Sequence, residues 1–148
     1  MIDISVKSFD ELTVSELYAI LQLRSEVFVV EQDCVYQDID GKDKKAIHII
    51  GSKKGTIVAY TRVFNAGDYF SKASIGRVVV KDCERKYKYG YAIMKASINA
   101  VEEKFKEKSI HLSAQTYLIK FYSSLGFKKE GEEYLEDGIP HIGMLKSS

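Results

Sequence analysis

The stretch from Gly76 to Ala92, GRVVVKDCERKYKYGYA, constrains this chain more than any other. Three consecutive β-branched residues, Val78, Val79 and Val80, read as a strand buried on both faces. A basic turn follows, and from Lys88 to Phe105 apolar residues recur at helical spacing. A strand, a basic turn and a helix start in that order make an anion site. The first N–H groups of a helix lack partners and lie at the positive end of its dipole. Between Lys81 and Lys95 five Lys/Arg stand against two Asp/Glu, a local excess of three positive charges. Gly90 lets the backbone come close to a pyrophosphate. The spacing fits neither GxxxxGK[ST] nor GxGxxG, so a solvated basic turn stays open as the alternative.

The rest of the chain sets the frame for that segment. At 148 residues, 45% of them hydrophobic, it is expected to be one domain spanning residues 1–148. A net charge of +1 argues against a nucleic-acid partner. No apolar run reaches bilayer length and the N-terminus carries no signal-peptide pattern, so a cytoplasmic protein with no membrane partner is expected. Cys34 and Cys83 stand in no CxxC or His-rich context, which predicts reduced thiols and no metal site. Residues 1–6 read as a strand. Thr13 and Glu16 form a capping box between Leu12 and Leu17, opening a helix that runs to Glu31. Residues 33–45 read as a loop. Strands follow at 46–52 and 56–64 around Lys54-Gly55, then at 74–80. After the long helix, whose small face is Ala92, Ala96 and Ala100, come a strand at 109–114 and a short helix at 117–125 stopped by Gly126. Two last strands flank Asp137-Gly138. The order β-α-β-β-β-α-β-α-β-β predicts an α+β fold, a mixed central sheet flanked by helices.

Arg85 and Gly90 occupy the first and last places of Q/R-x-x-G-x-G/A, and in this the basic turn resembles the coenzyme A-binding motif of the GNAT N-acetyltransferases. Lys88 stands where that motif has its first glycine. Phe121-Tyr122-Ser123-Ser124-Leu125-Gly126-Phe127 is similar to the family's FYxxxGF segment. Leu23–Gln32, Asp38–Asp43 and Glu136–Met144 resemble the ElaA-like branch of the same family. The resemblance covers essentially the whole chain. It implies a sheet splayed between the fourth and fifth strands, with the pantetheine arm of acetyl-CoA lying along the edge of the fourth. Val78 and Val80 would then bond the arm through their backbone, and the N–H of Val79 or Val80 would meet the oxyanion. Arg85, Lys86, Tyr87, Lys88, Tyr89 and Gly90 would hold the pyrophosphate.

The resemblance also implies the reaction, transfer of an acetyl group to a primary amine by direct attack in a ternary complex, without a metal. Tyr122 matches the tyrosine near the thioester sulfur and would act as general acid, although Leu118, Phe121, Tyr122 and Leu125 also form an apolar stripe. An alkylamine with a pKa of ~10.4 is only about 0.1% unprotonated at neutral pH, so a base is required. Glu31 is the first candidate, followed by His48 and His141. Asp38, Asp40 and Asp43 form an acidic stretch suited to a cationic acceptor, either a small amine or an exposed lysine or N-terminal amine. Arg24, on the apolar side of its helix, reads as a structural charge paired with that loop. A homodimer is compatible with all of this. Two other readings stay open: an acyl-homoserine-lactone synthase and a coenzyme A-binding module without turnover. Arg24/Phe28 and Asp40/Asp43 favour the synthase, but the chain has no tryptophan and Ser74 replaces that family's glutamate.

Overall fold

The computed structural model describes residues 2–147. Its elements follow the expected order: β1 (Asp3–Ser8), α1 (Val14–Arg24), β2 (Ile47–Lys53), β3 (Thr56–Phe64), β4 (Ala73–Val80), α2 (Tyr89–Phe105), β5 (Ile110–Gln115), α3 (Ile119–Ser123), β6 (Lys128–Glu136) and β7 (Ile139–Lys146). Met1, placed in the first strand by sequence, lies outside the described residues. The seven strands form one mixed sheet in the order β1-β2-β3-β4-β5-β7-β6, with β4 and β5 the parallel pair.

Local chemistry explains the boundaries. Thr13 Oγ1 accepts from the Glu16 N–H at 3.0 Å, and Glu16 accepts from the Thr13 N–H at 2.9 Å, so two otherwise orphaned donors are satisfied at the start of α1. The helix does not run as one regular element to Glu31. After Arg24 it widens into a π-helical turn, Ser25–Glu31. Both two-residue hairpins carry positive φ at both positions, 52° and 82° at Lys54-Gly55 and 51° and 78° at Asp137-Gly138, as a type I′ turn requires.

Two apolar layers sandwich the sheet. On one face Ile20, Leu23 and Val27 pack on Ile50, Tyr60 and Val79. On the other, Ile93, Met94 and Val101 of α2 pack on Ile49, Ala59, Val63 and Ile75. Of the small face expected of α2, Ala100 is buried in the core and Ala96 packs against it. Ala92 and Ala96 are only half-buried, while Ser97 is fully buried and sits 2.5 Å from Thr61 Oγ1 on β3. Ser97 Oγ donates to the Ile93 carbonyl at 2.7 Å, so Thr61 is the donor to Ser97.

The feature that positions the site is where the sheet opens. β4 and β5 pair only at Ala73–Ile110 and Ser74–His111. The register of β3 against β4 slips by one between Tyr60 and Arg62, and Arg77 opposite the slip has φ 50°, which marks a β-bulge. A bulge bends its strand, and β4 turns away from β5 as the resemblance implied.

Candidate active site

The opening between β4 and β5 is a cleft of about 510 Å³. Its walls are Ile75–Val80 on one side and Leu112, Ser113 and Gln115 on the other, with Tyr122, Phe121, Gly90, Arg85, Glu31 and His141 around it. The Lys81 N–H donates to the Val58 carbonyl at 2.8 Å, so residues 81 and 58 are a hydrogen-bonded pair of the antiparallel ladder. Such pairs alternate along the strands. Val79, opposite Tyr60, therefore turns its N–H and C=O to β3. Val78 and Val80 turn theirs to the cleft. Of the two oxyanion donors considered from sequence, Val80 presents its amide to the cleft, and the amide of Val79 is committed to the sheet.

The turn after β4 is a 3₁₀ segment, Asp82–Tyr87, and Lys88 joins it to α2 in the left-handed conformation, φ 61°. That is the place of the motif's missing glycine, so the backbone geometry is kept although the residue is not. Arg85, Lys88 and Gly90 line the cleft. Lys86, Tyr87 and Tyr89 do not. Tyr87 stacks on Tyr89 with ring centroids 5.5 Å apart, and Lys53 Nζ sits 4.1 Å from the Tyr87 ring centroid. A Cβ on Gly90 would already meet Phe121 Cζ at 3.4 Å.

Tyr122 is buried within an aromatic series, between Phe121 at 5.0 Å and Phe127 at 6.2 Å by ring centroid. Burial pushes its phenol above the ordinary value, with a smaller push from Tyr117, so it stays protonated at neutral pH.

The acceptor-side residues separate into two places. His141 lines the cleft from β7, where it lies opposite Gln115. Its Nδ1 lies 2.7 Å from the Ile139 carbonyl and must be the donor, which leaves the Nε2 lone pair free. Glu136 Oε2 is 3.6 Å from that Nε2. Glu31 also borders the cleft, but at the mouth, where Arg85 Nη1 is 2.7 Å from its carboxylate. The expectation that Glu31 faces the acceptor is corrected accordingly: it faces the turn expected to hold phosphate.

His48, Asp38, Asp40 and Asp43 lie elsewhere. His48 is fully buried and absent from the cleft wall; its Nε2–H donates to the Asp43 carbonyl at 2.9 Å and Tyr60 Oη–H donates to its Nδ1 at 2.5 Å. Burial pulls its pKa below the ordinary imidazole value, which keeps it neutral. The three aspartates are turned inward onto three arginines. Arg24 reaches Asp38 at 2.9 Å and Asp43 at 2.7 Å, Arg62 reaches Asp40 at 2.6 Å and Asp43 at 3.0 Å, and Arg77 reaches Asp38 at 2.7 Å. Burial alone would raise the pKa of Asp40 and of Asp43, but the arginine hydrogen bonds and charges outweigh it and hold both low. These carboxylates are neutralised inside the protein, which corrects the expectation that they attract a cationic acceptor. The pairing of Arg24 with this loop was legible. Arg62 and Arg77 were not singled out, though a charged residue inside a β-branched run is the signal that marks them.

Residues 10–148 match the profile of the acetyltransferase (GNAT) domain. The chain belongs to the GNAT family. Its sequence is 46% identical to protein ElaA of Escherichia coli K12 over 138 residues, 92% of this chain and 90% of that one. The crystal structure of E. coli ElaA superposes with a TM-score of 0.92 at 44% identity, covering 99% of this chain and 100% of the other. An acyl-CoA N-acyltransferase from Pseudomonas aeruginosa does so at 0.92 and 40%, covering 98% and 99%. As a GNAT enzyme the chain is an acyltransferase. Residues that sequence reasoning missed at this site include Cys34, Tyr36, Ser113, Gln115 and Asp137, all on the cleft wall. Asp137 had been read only as a turn residue. Among the described residues no helix is long and apolar enough to cross a membrane.

Proposed function

We propose that this GNAT enzyme transfers an acetyl group from acetyl-CoA to a primary amine by direct attack, with both substrates in the cleft together. The observation that carries the reading is the free edge of β4, where Val78 and Val80 face the cleft over a basic turn. An amide-bearing arm completes such an edge as a strand would. Gly90 and the start of α2 then accommodate the pyrophosphate, and Arg85 and Lys88 supply positive charge.

Tyr122, protonated and fixed by its aromatic neighbours, donates to the departing thiolate. His141 takes the proton of the amine through Nε2, while the Ile139 carbonyl holds its Nδ1–H and fixes the ring. This makes His141 a better placed base than Glu31. Cys34, whose Sγ donates to the Asp137 carbonyl at 3.2 Å, has no base beside it, and Cys83, next to the Glu84 carboxylate at 3.9 Å, is off the cleft wall, so neither is placed as an acyl carrier.

Tyr122→Phe should lower kcat ~10²-fold or more with the KM for acetyl-CoA nearly unchanged. A loss of only a few-fold with a good amine would leave Tyr122 as packing. His141→Gln should lower turnover most at neutral pH and recover as pH approaches the pKa of the amine. If Glu31→Gln shows that recovery and His141→Gln does not, the base is Glu31.

A further inference from the structure

Arg85 already has several partners. Its Nη1 and Nη2 hold the two oxygens of Glu31 at 2.7 and 3.0 Å, a two-point fork. Its Nε donates to the Val80 carbonyl at 3.1 Å, and Nη1 also reaches Asp82 at 3.2 Å. A guanidinium has five N–H donors, and four are spoken for. The Val80 carbonyl is also one of the edge groups that face the cleft. A single side chain thus covers part of the β4 edge and bridges the mouth to the end of the π-helical turn. Glu31 and Arg85 are both exposed to about the same degree, 38% and 41%, so this pair is screened by water and open to exchange.

We propose that Glu31 is a positioning residue that competes with the coenzyme A pyrophosphate for Arg85, so that cosubstrate affinity is set by an exchange of anions on this guanidinium. The proposal rests on the acetyl-CoA reading given above. The pyrophosphate offers a fork of oxygens to the same two N–H edges that Glu31 now occupies, and both anions cannot hold those edges at once. Glu31 keeps Arg85 aimed at the cleft and is displaced when the pyrophosphate arrives. Asp82 lies on the same turn as Arg85 and moves with it, whereas Glu31 belongs to the opposite side of the mouth.

The test is calorimetric titration of the full chain with coenzyme A and with S-acetylpantetheine, which lacks the pyrophosphate. Glu31→Gln should tighten coenzyme A binding about two- to fivefold at low salt, the range an exposed ion pair allows, and the gain should shrink as salt rises. S-acetylpantetheine should bind the variant as it binds wild type. Asp10→Asn, which changes net charge equally on an exposed turn away from the cleft, should leave both affinities alone. With Arg85→Gln already in place, Glu31→Gln should add nothing. Weaker or unchanged coenzyme A binding in Glu31→Gln overturns the exchange, as does an equal gain for S-acetylpantetheine. Wild-type protein that binds no coenzyme A at all would instead sink the acetyl-CoA reading itself.

Discussion

Two clusters of arginine and carboxylate sit within this small protein, and burial gives them opposite meanings. Around Arg24, Arg62 and Arg77 the charges are matched three to three by Asp38, Asp40 and Asp43. Arg24 and Arg62 are 0% and 1% exposed, so no solvent or ligand can replace their partners. At the cleft mouth Arg85, Glu31 and Asp82 make contacts of similar length in open water. Contact distance does not distinguish the clusters; access does. The sealed cluster ties the loop after α1 to β3 and β4, and Tyr36 Oη donates to Asp38 at 2.8 Å from that same loop. Through Arg77 and Tyr36 it shapes one wall of the cleft. The mouth cluster can trade its anion.

The largest effect should come from breaking the sealed side. Arg24→Ala leaves Asp38 and Asp43 buried without that partner and should cost about 3–5 kcal/mol. Thermal unfolding should then fall by roughly 10 °C or more. A shift of only a degree or two would mean that the cluster is as exchangeable as the mouth.

At the mouth the effect should appear in binding and not in folding. Gly90→Val places branched carbons against Phe121 and toward the expected pyrophosphate. It should weaken coenzyme A binding about tenfold, equivalent to ~1.4 kcal/mol, with the melting temperature within a few degrees of wild type. Unchanged affinity in a folded variant would remove the helix start from the cosubstrate site.

Acid should separate the regions further. His48, beside the sealed cluster, has its pKa lowered in the fold, so its contribution is complete above the ordinary imidazole value of 6.5 and erodes as pH falls below it. Asp40 and Asp43 are also lowered, so their contribution is complete above the ordinary 3.8 and is lost as pH falls through their folded values. Thermal stability should therefore decline gently below pH 6.5 and steeply below 4. In His48→Gln the first decline should be smaller, with His111, also lowered by burial, supplying what remains. A flat profile from pH 7 to 5 in wild type would show that His48 is not held neutral.

The smallest effect concerns Lys88. A left-handed residue with a side chain carries strain of about 1–2 kcal/mol, part of which glycine gives back as chain entropy when unfolded. Lys88→Gly should raise stability by about 1 kcal/mol at most. A clear loss would mean that the lysine side chain supports the turn.

How legible all this was depended on whether the signal was local. The capping box at Thr13, the turns at Lys54-Gly55 and Asp137-Gly138, and the left-handed cap at Gly126 are decided within a few residues, and sequence places them. The splay of the sheet came only through resemblance, because it depends on a bulge at Arg77, whose positive φ falls on a residue with a side chain. The acidic loop was read as facing an acceptor because a run of aspartates looks the same whether its partners are water or buried arginines. Those partners lie 19 and 37 residues away along the chain for Asp43–Arg62 and Asp40–Arg77. Glu31 was read as a base for the acceptor, but what its carboxylate meets is Arg85, 54 residues on.

The central claim is that the cleft between β4 and β5 transfers an acetyl group from coenzyme A to an amine. Release of free thiol from acetyl-CoA, followed across a panel of small cationic amines and lysine- or N-terminal-amine-bearing peptides with the acetylated product identified by mass, tests it most directly. The account predicts amine-dependent release above the rate of hydrolysis, one acetylated amine for each thiol, and a fall of ~10²-fold in Tyr122→Phe. Acetyl-CoA that binds in the cleft while no amine in the panel accelerates thiol release would contradict it, and would leave a coenzyme A-binding module in place of an enzyme.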